Sequence, residues 1–157
     1  MKLPIFKKKN EKPLPILKKE NIQFMSSAMS EKQAIDYLGK QMLSSGYIEE
    51  KYIQGMHQRD ESLSVFVGNY LAIPHGEFEY KEAIIQSGIA VLVFEEAILW
   101  HGQPVHFVCA LAGKGDEHMK ILSNIATIFS DEDEVLQLLR TGSVDKVYHA
   151  FNSGGLS

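Results

Sequence analysis

Two apolar runs constrain this chain more than anything else in it. "GIAVLVF" (Gly88 to Phe94) and "VHFVCALA" (Val105 to Ala112) are almost uninterrupted and rich in β-branched residues. Runs of this length, without polar alternation, read as strands covered on both faces. Strands are therefore predicted at Gly88–Phe94 and Pro104–Ala112, with further strands at Ser64–Val67 and Tyr70–Ile73. The intervening "EEAILWHGQP" reads as a loop with a short extended piece.

The covering layers have to come from the flanks, where the apolar period changes to that of a helix. Ser30-Glu-Lys-Gln33 is a capping box, followed by a stripe of Ala34, Ile35, Leu38, Met42 and Leu43 and a stop at Gly46. This predicts a helix over 31–45. A second, over 49–60, carries Tyr52, Ile53 and Met56 and ends near Arg59-Asp60-Glu61. After the strands, His118, Ile121, Leu122, Ile125 and Ile128 recur at helical spacing. A fresh cap at Ser130 to Asp133 leads into Val135, Leu136 and Leu139, and Ser143 caps a last helix through Val144, Val147, Tyr148 and Phe151. Helices, strands, helices, with no internal repeat, make a single α/β domain in which a sheet is layered between helices. A chain of 157 residues is long enough to bury such a core.

Charge divides the chain. Residues 1–20 hold seven lysines against two acidic residues, or +5, so a whole-chain charge of −4 leaves −9 on the rest. Three prolines fall in the same opening stretch, and residues 1–19 read as a basic, flexible arm ahead of a domain spanning 20–157. That stretch lacks the long apolar segment and cleavage site of a signal peptide, and no run is long enough to cross a bilayer. An acidic body argues against nucleic acid as a partner. The single cysteine, Cys109, excludes an internal disulfide, fits a reducing cytoplasm, and reads as a small buried hydrophobe within its strand.

The chemistry concentrates in "VGNYLAIPHGEFEY" (Val67 to Tyr80). Pro74 ends a strand, His75 follows, and Gly76 removes the Cβ that would keep a ligand or partner away. Imidazole, with an ordinary pKa near 6.5, is an unprotonated nucleophile at neutral pH. His118, in "GKGDEHMK", falls in the first turn of a helix beginning near Asp116, where free amides and the helix dipole favour an anion. It equally extends the apolar stripe toward Ile121. Arg59 ends a helix as a solvated cation or, alternatively, as a planar fork for phosphate oxygens. His57 and His149 belong to helix faces, and His101 and His106 flank a strand. His75 and His118 with Asp116 or Glu117 would make a metal-dependent hydrolase site, but no HxxxH or CxxC spacing supports one. A Ser/His/Asp triad lacks its GxSxG elbow.

The seventeen residues from Asp60 to Gly76, "DESLSVFVGNYLAIPHG", closely resemble the active-site motif of phosphotransferase-system enzyme IIA of the mannitol/fructose type. The resemblance runs over residues 20–152, with "LAGKGDEHMKILSNIATIF" similar to a second block and "TGSVDKVYHAF" to the C-terminal helix. It implies a mixed β-sheet flanked by helices. It also implies that His75 accepts a phosphoryl group from phosphohistidine on the carrier HPr. The group then passes to a cysteine thiolate of enzyme IIB, the membrane permease's partner domain. His118 and Arg59 are implied to stabilise the transferring charge, with no metal or other cofactor. "GKGDEHMKILSNIA" looks mannitol-like. The alternative within the family is a regulator of the nitrogen branch, gated by phosphorylation of His75. Phe78, Tyr80 and Tyr70 are expected either to rim the site for both partners or to be ordinary surface aromatics.

Overall fold

In the computed structural model, which describes residues 13–153, the two apolar runs pair antiparallel at the centre of a five-stranded sheet. In chain order the elements are β1 (Ile22–Met25), α1 (Glu31–Ser44), α2 (Lys51–Ser62), β2 (Phe66–Gly68), β3 (Leu71–Ala72), β4 (Gly88–Trp100), β5 (Gln103–Ala112), α3 (Asp116–Ile128), α4 (Glu132–Arg140) and α5 (Val144–Ser153). Short 3₁₀ stretches cover Lys19–Asn21 and Phe78–Ala83. The sheet order is β1-β4-β5-β3-β2. β1 runs parallel to β4 and β3 parallel to β5, while β2 is antiparallel to β3. This is the mixed sheet that the family resemblance implies.

Side-chain alternation decides which helices cover which face. Ala90, Leu92 and Phe94 of β4, with Val108 and Ala110 of β5, pack on Ile35, Leu38 and Met42 of α1 and Tyr52 and Met56 of α2. Their neighbours Ile89, Val91, Val93, Phe107, Cys109 and Leu111 meet Ile121 and Ile125 of α3, Val135 of α4, and Val147 and Phe151 of α5. Each Val, Leu, Ile, Phe or Met among them contributes about 1.5–3 kcal/mol by leaving water. Both faces are covered, so neither run shows the polar alternation of a one-sided sheet.

The capping box at Ser30 is present, with Gln33 N donating to Ser30 Oγ at 3.1 Å and Ser30 N to Gln33 Oε1 at 3.0 Å. Ser143 Oγ accepts from Lys146 N at 3.1 Å as the cap of α5. The cap of α4 is Asp131 instead of Ser130. Its Oδ1 accepts from Asp133 N at 2.8 Å and Glu134 N at 3.3 Å, while the Ser130 hydroxyl turns back to Thr127 O. A carboxylate at the positive end of a helix is the stronger acceptor.

The structure differs from the sequence reading in three places. The stretch 95–104 is not a loop, because β4 continues to Trp100. Its pairing register shifts between Val93 and Ile98, and Glu95, Glu96 and Ala97 lie exposed there. Alternation then resumes, with Ile98 and Trp100 buried and Leu99 exposed. The hairpin closes through His101 and Gly102, whose φ values are 49° and 84°. Second, β1 was not anticipated: four residues between polar neighbours carry too little period to be read. Third, the basic arm gives way to packed chain before residue 20. Leu17 is 2% exposed, Ile89 N donates to Ile16 O at 2.9 Å, and the Tyr47 hydroxyl donates to Pro15 O. Leu14, Ile16 and Leu17 are interleaved with prolines and lysines, so composition hides their apolar side. The rest of the arm, residues 1–12, lies outside the described residues.

Candidate functional site

Beyond β3 the main chain stays tied to the sheet for two more residues. Ile73 N donates to Val65 O at 3.0 Å, and Leu111 N donates to Pro74 O at 2.9 Å. His75 follows, and its Nδ1 lies 2.8 Å from Ile73 O. A carbonyl can only accept, so Nδ1 carries the hydrogen and Nε2 keeps the lone pair. The next residue, Gly76, lies so close to Tyr52 that an added Cβ would fall 2.7 Å from the ring's Cε1. Gly76 N donates to the Tyr52 hydroxyl at 2.9 Å, and that hydroxyl donates to Leu111 O at 2.9 Å.

His118 arrives from the other side, in the first turn of α3. Its ring centroid is 5.7 Å from that of His75, with the planes tilted by 57°. Gly113 allows this approach, because a Cβ there would sit 2.5 Å from His118 Cα. The turn is anchored by buried Ser87, which accepts from Lys114 N at 2.8 Å and donates to Glu117 Oε1.

Arg59 completes the group from the last turn of α2, where its Nη1 donates to Leu63 O. The adjacent Asp60 is 4% exposed and binds across to the far hairpin. Its Oδ1 accepts from Trp100 Nε1 at 2.9 Å and Val65 N at 3.1 Å, and its Oδ2 lies 2.8 Å from His101 Nε2. His101 Nε2 is also 3.2 Å from Glu31 Oε2.

His75, His118 and Arg59 line one cavity of about 640 Å³, shared with Tyr52, Phe78 and Lys81. Among the described residues neither Arg59 nor Lys81 has a carboxylate within 4.0 Å. With the Glu77 carboxylate also on its wall, such a cavity offers an anion two cations and two neutral imidazoles against one like charge. The three residues expected to act together are thus brought together.

The surroundings hold both rings neutral. Burial lowers the pKa of His75 and the Ile73 hydrogen bond opposes the shift; Arg59 and His118 lower it further, and the Glu77 carboxylate acts against them. Burial likewise lowers that of His118. Nε2 of His75 therefore remains a free base below the ordinary pKa of about 6.5. Because the unfolded chain binds these protons first, the two histidines subtract stability as pH falls from about 6.5 through their folded values. His101 acts oppositely, since its bond to Asp60 raises its pKa. Its contribution is complete below about 6.5 and lost as pH rises through the folded value. Imidazole NMR titration should place His75 and His118 below about 6.5 and His101 above it. A His75 midpoint at or above that value contradicts this electrostatic account.

The remaining sequence candidates fall elsewhere. His57 Nε2 meets Asp36 Oδ1 at 2.8 Å between α1 and α2, His106 Nδ1 donates to Phe94 O at 2.7 Å, and His149 is exposed on α5. Cys109 is fully buried, and burial pushes its thiol pKa up. Phe78, 78% exposed, rims the cavity. Tyr80 is half-buried against Gly55 and bonds Gln58, and Tyr70 instead bonds Glu132 and packs against His106 with the rings tilted by 59°. Among the described residues, the convergent metal-type group is Glu31, Asp60 and His101, not His75 and His118 with Asp116 or Glu117. The hydrolase ligand set is therefore not assembled. Sequence reasoning missed Lys81, Tyr52 and the anchoring role of Asp60. The acidic position opening the motif was the available signal for the last.

A profile described as "Phosphoenolpyruvate-dependent sugar phosphotransferase system, EIIA 2" matches residues 15–154. The chain belongs to this family. Among EIIA 2 relatives, the mannitol-specific phosphotransferase enzyme IIA component of Halalkalibacterium halodurans is 45% identical over 132 residues, covering 84% of this chain and 91% of that protein. The protein of the same description from Bacillus subtilis is 37% identical over 140 residues, covering 88% and 98%. The fold matches the enzyme IIA mannitol protein of Escherichia coli, solved in complex with phosphorylated enzyme IIB. The TM-score is 0.78 and the identity 26%, over 87% of this chain and 99% of that one. As an EIIA 2 member the chain is a phosphotransferase component. Among the described residues no helix is long and apolar enough to cross a membrane.

Proposed function

We infer that this EIIA 2 chain is a cytoplasmic phosphoryl carrier. It accepts phosphate from phospho-HPr on His75 and passes it to a cysteine of enzyme IIB for mannitol uptake. The mannitol assignment is supported by the descriptions of the curated relatives, and the acceptor by the complex that shares the fold. The reading rests above all on the His75 ring, whose Nδ1–H is held by Ile73 O so that Nε2 is the free nitrogen in a cavity with Arg59 and His118.

The chemistry follows from that arrangement. The Nε2 lone pair of neutral His75 attacks phosphorus as the P–N bond to the HPr histidine breaks. Nδ1 keeps its hydrogen, so the ring gains positive charge and Ile73 O stabilises it. Arg59 and His118 donate to the phosphoryl oxygens, and the work is mainly positioning and charge stabilisation. A thiolate of IIB then attacks phosphorus, and the Nε2–P bond breaks to return the neutral imidazole.

The test supplies phosphoenolpyruvate, enzyme I and HPr. The chain should gain one phosphate that is stable to base and labile to acid, and a mannitol enzyme IIB should remove it. Failure to label contradicts the carrier reading. Label that IIB cannot remove contradicts the transport role and favours a regulator.

A further inference from the structure

We propose that Tyr52 is a positioning residue for phosphoryl transfer, its hydroxyl tying the His75 segment to the strand that leads to His118 and so setting the spacing of the two rings. The proposal rests on the reading of His75 as nucleophile and extends it to a residue of α2 buried beneath the site.

The bonding around this hydroxyl admits one orientation. Gly76 N–H can only donate and Leu111 C=O can only accept, so the hydroxyl accepts from the first and donates to the second, each at 2.9 Å. Burial pushes its pKa up to about 12, so it remains protonated at any working pH. Leu111 is bound from both sides, since its N–H donates to Pro74 O at 2.9 Å. Residues 74 and 76 are therefore clamped to one residue of β5, with His75 between them. From Leu111 the chain runs through Ala112 to Gly113, against which His118 Cα is packed. Tyr52 is 1% exposed and its ring bears directly on Gly76. It thus ties the segment that carries His75 to the strand that leads to His118, and it lines the cavity with its hydroxyl already engaged by Gly76 and Leu111.

Phenylalanine at this position keeps the ring and leaves Gly76 N–H and Leu111 C=O without their partner. The clamp on the far side of His75 is then released. Because a misplacement of about 1 Å can cost about 100-fold in rate, a partial release predicts a loss of about tenfold.

Tyr52→Phe is assayed by quenched flow with phospho-HPr, and its histidines are followed by imidazole NMR. The expected result is a transfer rate constant about tenfold lower, unchanged saturation by HPr, and a His75 titration moved toward about 6.5 as the loop opens to water. Transfer within twofold of wild type with an unaltered His75 titration overturns the proposal. Should Tyr52→Phe not fold, 3,5-difluorotyrosine at position 52 keeps the donor and weakens the acceptor, and circular dichroism checks that fluorine at Cε1, beside Gly76, leaves the fold intact. Slower transfer then supports the role, and a native rate overturns it. If wild type itself takes no label, the carrier reading fails, while the NMR measurement still decides whether Tyr52 sets the His75 environment.

Discussion

His75→Ala is expected to take up no phosphoryl group from phospho-HPr, a loss of at least about 10⁴-fold, because the proposed route runs through a covalent intermediate on that ring. The fold should survive. His75 is half-buried, and its one protein hydrogen bond, to Ile73 O, is worth about 1 kcal/mol. Circular dichroism and a urea melt would establish that the variant is native before it is labelled from radioactive phosphoenolpyruvate. His118→Ala makes the necessary comparison. It keeps the nucleophile and removes one donor to the developing charge, so it should still label, about 10²–10³-fold more slowly. Normal labelling of His75→Ala would remove the carrier mechanism. Label that vanishes with His118 alone would exchange the roles of the two rings.

Asp60→Ala is expected to be the most damaging single change to stability away from the large apolar side chains, at about 3–5 kcal/mol. It leaves Trp100 Nε1–H and Val65 N–H buried without an acceptor and removes the partner of His101. For a chain of this size that lowers the melting temperature by about 10 °C or more. Asp60→Asn retains an acceptor for Trp100 and Val65 and loses the charge and the oxygen that faces His101. It should cost about 1–2 kcal/mol and lower the His101 titration. Calorimetry and urea unfolding of both variants measure the difference. An alanine variant as stable as wild type would show that the network is dispensable. Because Asp60 adjoins Arg59, phosphoryl transfer should slow in the folded fraction as well.

Local signals carried much of the fold. Ser30 and Gln33 were readable because a capping box is satisfied within four residues, and β4 and β5 because a doubly covered strand has a composition of its own. The site was readable where the chemistry is compressed into one segment, as at Pro74-His75-Gly76 and at the turn before His118. What escaped was held together across long separations. β1 exists because it lies parallel to Val91–Phe94, and no local property of Ile22–Met25 requires that. Glu95 and Glu96 resembled a loop, yet the strand continues because Trp100 has a buried partner in Asp60, 40 residues earlier. Tyr52 looked like one more residue of an apolar stripe. Its hydroxyl matters through Gly76 and Leu111, 24 and 59 residues away.

The bond from His75 Nδ1 to Ile73 O has a consequence for how the two handovers can be staged. In the proposed mechanism the empty and loaded rings share the same proton on the same nitrogen, so neither transfer requires an exchange with bulk solvent. Each encounter can therefore be sealed dry, with donor or acceptor closing the mouth of the cavity. A sealed mouth denies water its competing attack on the phosphoramidate, and the energy of that bond reaches the sugar instead of being lost as heat.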